Sequence, residues 1–385
     1  MFSFKKKKKK IKVYFICQYI QGCNKIYDVI MAMKNDLRFE VKALAVPDNI
    51  KDFPNNNDYN FWFSKFGDIT INAVDGNKWF DLKNEKPDYI FIQRPYDNYL
   101  PDVYQINCLK KYSNICYIPY AFEIMDLRSV TMPDFFVKKV SMMFCSQTEE
   151  YNYCKKIINS ADDNFKRKCF DLGYPSLFNI VMKKNKYNSA FNNIDKKNSF
   201  NVIWTPRWTM DDKLCKSSFF DYKDLIINYL KDREKINFVF RPHPLTFKNF
   251  VAEKIMTQKQ VDNYLSNFKN SNMCYDYSSD YYDTFNESDV LVTDYSSIII
   301  EYLLLDKPII YCSKKGKVNS FLNKVLKCCY CVNNWSELKK TLELIQSGND
   351  YLKKERNKFL NVFLKKYEED VSLKILDEIE KDYYE

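Results

Sequence analysis

Glycine is scarce in this chain, with 6 in 385 residues, and histidine is scarcer, with one. Dinucleotide-binding and P-loop sites need several glycines at fixed spacing so that the backbone can approach phosphate closely. Neither G-x-G-x-x-G nor G-x-x-x-x-G-K-[ST] occurs, so any phosphate site must be built from other groups. No run reaches the ~18 apolar residues needed to cross a bilayer. The early apolar stretch Ile11 to Cys17 contains Lys12 and follows the lysines Lys5 to Lys10, too short and too charged for an export core, so the chain is expected to be cytoplasmic. The thirteen cysteines are an odd number, scattered, and mostly in apolar strand-like settings such as Cys17, Cys116 and Cys145, which is how reduced core thiols are used. Cys328, Cys329 and Cys331 do cluster, but one histidine and no paired C-x-x-C argue against zinc. There is no internal repeat.

What is present is a folded chain. A hydrophobic content of 46% with 29% charged residues is that of a globular protein, and 385 residues suit two domains of about 150 to 200 residues each. The 30 Tyr and 30 Phe, with abundant Lys, Asn and Ile, read as a bias of the source genome and not as a functional signal. The formal charge of +10 owes much to Lys5 to Lys10. Each lysine near an anionic membrane adds ~1 kcal/mol of attraction, so peripheral attachment at the inner face of the membrane through this run is one expectation and a solvated tail the other.

From residue 11 the pattern alternates: strand at Lys12 to Cys17, helix at Asn24 to Lys34, strands at Phe39 to Val46 and Asp88 to Gln93, a helix after Pro101, a strand at Asn114 to Pro119, and a helix opening near Ser146. Such βαβα order predicts an α/β fold with parallel sheets covered on both faces. Residues 183–199 are rich in Asn, Lys and Ser without apolar periodicity, and are read as a linker. The organisation expected is a basic tail (1–10), an N-terminal Rossmann-like domain (11–182), the linker, a second Rossmann-like domain (200–349) and a C-terminal helical segment (350–385) that returns to the first lobe.

Three short motifs directly follow strands predicted in the second domain: Pro206-Arg207-Trp208 after Thr205, Arg241-Pro242-His243-Pro244 after Phe240, and Asp294-Tyr295-Ser296-Ser297 after Thr293. Loops after parallel strands emerge at the carboxyl edge, where open α/β sheets bind ligands. Two guanidiniums, one imidazole and two hydroxyls should therefore converge. Ser296 and Ser297 fall at a helix start, where free N–H groups and the dipole favour an anion, although a serine there can equally be an N-cap. Glu301 lies four residues past Ser297, one turn further along the same face, and a carboxylate within Ile298 to Leu305 needs a partner. His243, fixed between two prolines beside Arg241, can be a structural histidine or a rigidly placed anion contact. The donor-binding set read from these motifs is Arg207, Arg241, His243, Thr293, Asp294, Ser296, Ser297 and Glu301.

These residues carry a resemblance. Ser288 to Ser297, with Glu301 and Asp306-Lys307-Pro308-Ile309-Ile310-Tyr311, closely resembles the signature of the CDP-glycerol glycerophosphotransferase family, whose members build teichoic acids and glycerol-phosphate capsules. Arg241 to Pro244 looks like the family's histidine-proline motif, Thr205 to Trp208 its first-strand loop, and Gly173-Tyr174-Pro175 its glycine-proline turn. The likeness runs from about residue 170 to the C-terminus. It implies a GT-B architecture, two Rossmann-like lobes with a nucleotide donor on the second. It also implies donor contacts at Arg241, His243, Ser296, Ser297 and Glu301, where the family more often has Asp at the last position. No metal or cofactor is expected, because cationic side chains and a helix end neutralise the diphosphate.

One departure matters. The family usually has a His-Gly motif in the N-terminal lobe, supplying the base for the acceptor hydroxyl, and this chain has no histidine there. Tyr120, Glu123 or Asp126 is expected to replace it, with Glu123 preferred because a partly desolvated carboxylate can be tuned toward neutral pH. The function expected is transfer of glycerol phosphate from CDP-glycerol to a hydroxyl of a polysaccharide, lipid-linked or teichoic-acid-like acceptor, with release of CMP. His243 would act on the leaving phosphate as well as bind it. Two alternatives stay open: a GT-B glycosyltransferase using a nucleotide-activated sugar, and a non-enzymatic protein binding nucleic acid or another anionic polymer. The latter is disfavoured because the remaining basic residues are spread out and no reading motif is present.

Overall fold

The computed structural model describes residues 9–48, 58–124, 131–182, 189–194, 199–212, 215–269, 272–278, 281–313 and 318–385. Lys5 to Lys8, Asp126 and most of the 183–199 segment lie outside them. The chain is α/β and divides into two compact units, one comprising Met1–Glu123, Leu127–Asn179 and Lys366–Glu385, the other Ile124–Asp126 and Ile180–Lys365. Each is a Rossmann-like unit built on an all-parallel sheet, and the fold is of the GT-B-like class.

The first unit contributes β1 (Ile11–Cys17), β2 (Phe39–Ala45), β3 (Thr70–Asn72), a small antiparallel hairpin β4 (Val74–Asp75) and β5 (Lys78–Trp79), then β6 (Tyr89–Ile92), β7 (Asn114–Tyr117), β8 (Met142–Cys145) and β9 (Lys168–Asp171). The seven-stranded sheet runs β3-β2-β1-β6-β7-β8-β9. Its central strands are nearly uninterrupted apolar runs, YIFI in β6 and MMFC in β8, fully buried as strands covered on both faces must be. Short strands such as β8 carry neither alternation nor flanking glycine, which is why sequence reading registers only their apolar character.

The C-terminal helix Val371–Tyr384 packs within this unit against the helix Cys23–Lys34. Val371, Ile375, Leu376 and Ile379 form its buried stripe, and Arg38 holds its outer face through Asp377 at 2.9 Å and Glu380 at 2.6 Å. The helical segment expected over 350–385 is thus shared: Lys353–Phe363 belongs to the second unit and Val371–Tyr384 to the first.

The second unit contributes β10 (Phe200–Thr205), β11 (Ile236–Phe240), β12 (Met273–Tyr275), β13 (Val290–Thr293), β14 (Ile309–Cys312) and β15 (Tyr330–Val332), ordered β12-β11-β10-β13-β14-β15. Counted within the unit this is the 3-2-1-4-5-6 order of dinucleotide folds, whose direction reverses between β10 and β13. Trp204, Phe219, Phe238 and Phe240 form an aromatic core beneath that point, with Trp204 and Phe240 ring centroids 5.1 Å apart. The abundant aromatics therefore serve packing here. Arg356 is wholly buried at the far side of the unit, paired with Asp350 and with Asp306 at 3.3 Å.

Candidate active site

In the second unit the register brings the three motifs together. Thr205 pairs with Thr293 and Trp204 with Phe240, so β10, β11 and β13 end level and their loops leave side by side. Thr205 donates its hydroxyl to Thr293 Oγ1 at 2.8 Å, and Thr293 donates to the Thr205 carbonyl at 3.1 Å, locking the two strand ends. Thr293 is fully buried by this exchange.

Asp294 is the hub of the next layer. Its carboxylate is buried and accepts from Arg207 N–H at 2.9 Å, Ser218 N–H at 2.8 Å and Ser218 Oγ–H at 2.8 Å. Burial raises its pKa, and the Ser218 and Arg207 contacts oppose that rise. Asp294 thus shapes the loop that carries Arg207 and the start of the helix Phe219–Leu230. The Arg207 guanidinium donates to the Tyr295 carbonyl at 2.6 Å and lies 5.3 Å from the Tyr295 ring and 5.7 Å from the Trp208 ring.

His243 sits across from it, its ring centroid 6.2 Å from that of Trp208. Its N–H donates to the Pro206 carbonyl at 3.1 Å, tying the β11 loop to the β10 loop. Its Nδ1 accepts from Leu245 N–H at 3.2 Å, so the neutral ring carries its proton on Nε2. Burial, and secondarily the charge of Arg207, lower its pKa from 6.5 to about 4. At neutral pH the imidazole is therefore an uncharged donor.

Arg241 has two partners that sequence reading misses. Its guanidinium donates to buried Asp276 at 2.6 Å and to the Ser278 carbonyl at 2.7 Å, and it stacks 4.8 Å from the Tyr281 ring centroid. Tyr281 donates to Glu301 Oε2 at 2.6 Å. Burial first, then the charge of Glu301, push the Tyr281 phenol up. Glu301 is 3% exposed, and Tyr281 is a protein partner of the kind its burial demands.

Ser296 and Ser297 precede the short helix Ile298–Leu303. Ser297 occupies the N-cap position, but its hydroxyl makes no capping hydrogen bond, and Ser296 Oγ receives only a long contact from Ile298 N–H at 3.5 Å. Both side chains are half-buried.

Tyr120 and Glu123 belong to the first unit, past the carboxyl end of β7. The Tyr120 and Tyr96 hydroxyls are 3.0 Å apart, and burial holds the Tyr120 phenol protonated far above neutral pH. Glu123 accepts from the Thr131 hydroxyl, and its carbonyl accepts from the Gln147 side-chain amide. Glu150, absent from the sequence-based set, is 1% exposed at the start of the helix Thr148–Asn159. Its Oε2 accepts from Ser146 N–H at 2.8 Å and Ser146 Oγ–H at 2.7 Å. Burial raises its pKa to about 7 against the Ser146 hydrogen bonds, and the negative charge of Glu123 adds to the rise. The one sequence signal for Glu150 is its position four residues after Ser146, within reach of a capping carboxylate.

Among the described residues no three His, Cys, Asp or Glu side chains are grouped as metal ligands would be, and no helix is long and apolar enough to cross a membrane.

A family model described as CDP-Glycerol:Poly(glycerophosphate) glycerophosphotransferase matches residues 148–381. No curated relative matches the chain. Among solved structures, the UDP-GlcNAc 2-epimerase of Neisseria meningitidis bound to UDP-GlcNAc superposes with a TM-score of 0.63 at 13% identity, covering 96% of this chain and 100% of that one. A putative UDP-N-acetylglucosamine 2-epimerase from Listeria monocytogenes gives 0.60 at 10% identity, covering 98% and 97%. The wall teichoic acid polymerase TagF gives 0.55 at 14% identity, covering 97% and 89%. At such identities these structures establish the fold alone.

Proposed function

The chain belongs to the CDP-glycerol:poly(glycerophosphate) glycerophosphotransferase family, and on that premise we propose that it transfers glycerol phosphate from CDP-glycerol to a hydroxyl of a cell-surface polysaccharide or teichoic-acid-like acceptor, releasing CMP. The observation that carries this reading is the meeting of Arg207, Arg241, His243, Ser296 and Ser297 at three level strand ends beside the point where the sheet order reverses.

The acceptor oxygen attacks the β-phosphorus, the bond from that phosphorus to the bridging oxygen breaks, and CMP leaves with the bond electrons. The chemistry demands alignment and stabilisation of spreading charge. His243 Nε2–H donates to the leaving phosphate, Arg207 and Arg241 bring positive charge to it, and Ser296 and Ser297 supply hydroxyls. Thr293 and Asp294 fix those loops. Glu301, oriented by Tyr281, is assigned to the ribose hydroxyls. In the first unit Glu123 takes the acceptor proton, and Tyr120, protonated throughout, positions the acceptor hydroxyl.

The test is nucleotide release from purified protein offered CDP-glycerol, CDP-ribitol and UDP-sugars with a teichoic-acid primer. CMP from CDP-glycerol, reduced at least about tenfold by His243→Ala, supports the proposal. Release of UDP or CDP from a sugar donor would replace it with glycosyl transfer, the reading that the lack of a first-unit histidine keeps open.

A further inference from the structure

The first unit has a concave site at the sheet edge opposite Tyr120 and Glu123. A cavity of about 540 Å³ opens at the amino ends of β6 and β7, within the about 300–1,000 Å³ range of small-molecule pockets. It is lined by Lys9, Lys86, Lys110 and Lys111, with Tyr112 and Ser113 among its hydroxyl-bearing residues. All four lysines are exposed, and among the described residues none forms an ion pair. The two acids in the lining are already engaged: Asp88 accepts from Lys12 N–H at 2.8 Å, while Asp382 pairs with Lys168 at 2.8 Å and accepts from the Tyr89 hydroxyl at 2.7 Å. Lys168 offsets the charge of Asp382, and against the one remaining carboxylate, Asp88, four cations leave the hollow positive, a field that concentrates anions.

We infer that this cavity binds a phosphodiester or diphosphate anion at a site separate from the transfer chemistry. Ammonium groups on flexible stems suit phosphate, which they meet as point charges, and several phosphates in a chain would engage several lysines at once. A concave pocket favours a ligand that enters it over a flat membrane surface. Lys9 in the lining belongs in sequence to the Lys5 to Lys10 run.

The experiment uses the full chain and calorimetric titration with inorganic pyrophosphate and with a short soluble glycerol-phosphate oligomer, beside sedimentation with phosphatidylglycerol or phosphatidylcholine vesicles. Both soluble ligands should bind, weaken as salt rises, and lose about tenfold in affinity in Lys110→Glu/Lys111→Glu. Lys110→Gln/Lys111→Gln should lose less, which separates charge from misfolding. CMP release with a minimal acceptor should not change in either variant. Only the choice of the oligomer rests on the proposed function; with saturating CMP occupying the proposed donor site, pyrophosphate reports on the cavity whether or not that function holds. Equal soluble-ligand binding by wild type and the charge-reversed variant overturns the inference. So does binding confined to phosphatidylglycerol vesicles, which would make the lysines a membrane contact.

Discussion

The chain's single histidine makes the state of the proposed donor site directly readable. In protein labelled with ¹³C and ¹⁵N at histidine, one imidazole spin system reports His243 without assignment. Unliganded, it should titrate at about 4 and show Nε2–H at neutral pH, because burial and the Arg207 charge disfavour the imidazolium and Nδ1 is occupied by Leu245 N–H. Saturation with CDP-glycerol or CMP brings phosphate charge to Nε2. At ~4 Å and an effective dielectric of ~20 a unit charge contributes ~4 kcal/mol, or up to roughly 3 pKa units, before the opposing effect of displaced water. The bound pKa should therefore rise to roughly 6–7. The sign follows from linkage: a group whose pKa rises on binding takes up a proton with the ligand, so donor affinity should increase as pH falls through the bound value toward the free one. His243→Gln should abolish that pH dependence. Titration near 6.5 in the free protein, or a resonance that saturating donor leaves unmoved, would refute the placement.

Further outcomes follow from the same geometry. Asp294→Ala leaves buried donors of Arg207 and Ser218 unpaired and should cost about 3 kcal/mol, read as a fall in denaturant midpoint, with Asp294→Asn recovering part of it. Ser296→Ala/Ser297→Ala removes hydroxyls that do little capping, so KM for the donor should rise while thermal stability changes by less than about 0.5 kcal/mol. Glu123→Gln should lower kcat with little effect on donor KM, and the basic-side plateau of the kcat profile should disappear; an unchanged profile would assign the base elsewhere. Gly173→Ala forces a side chain onto φ +99° with its Cβ 3.1 Å from the Tyr367 ring, and should cost about 1–3 kcal/mol by chemical denaturation.

Much of this was legible because long apolar runs bounded by charged segments mark buried parallel strands. Val290–Thr293 has the bounds that its sequence suggests, and the loops after β10, β11 and β13 are adjacent as βαβ order requires. Asp276 was not legible. It lies 35 residues from Arg241, and only the pairing of Phe240 with Tyr275 across β11 and β12 sets the two side by side. Tyr281 depends likewise on tertiary placement against Glu301. Burial explains both kinds of outcome: it decides periodicity, which sequence displays, and it decides which polar groups must find each other, which sequence does not.

That hidden partner changes the electrostatics of the site. Two guanidiniums alone would make a strongly cationic pocket, but Asp276 faces Arg241 and Asp294 lies against the Arg207 backbone, so the empty site carries little net positive charge. The acids keep the cationic side chains in place, which lowers the ordering cost when a ligand arrives. They also leave a diphosphate incompletely neutralised. On the proposed function a neutral imidazole beside Arg207 suits that deficit: its lowered pKa keeps it uncharged while the site is empty, and the charge of an arriving phosphate should raise that pKa toward protonation. On the same reading, release of the phosphate should lower the pKa again and remove positive charge that would otherwise hold the product in place.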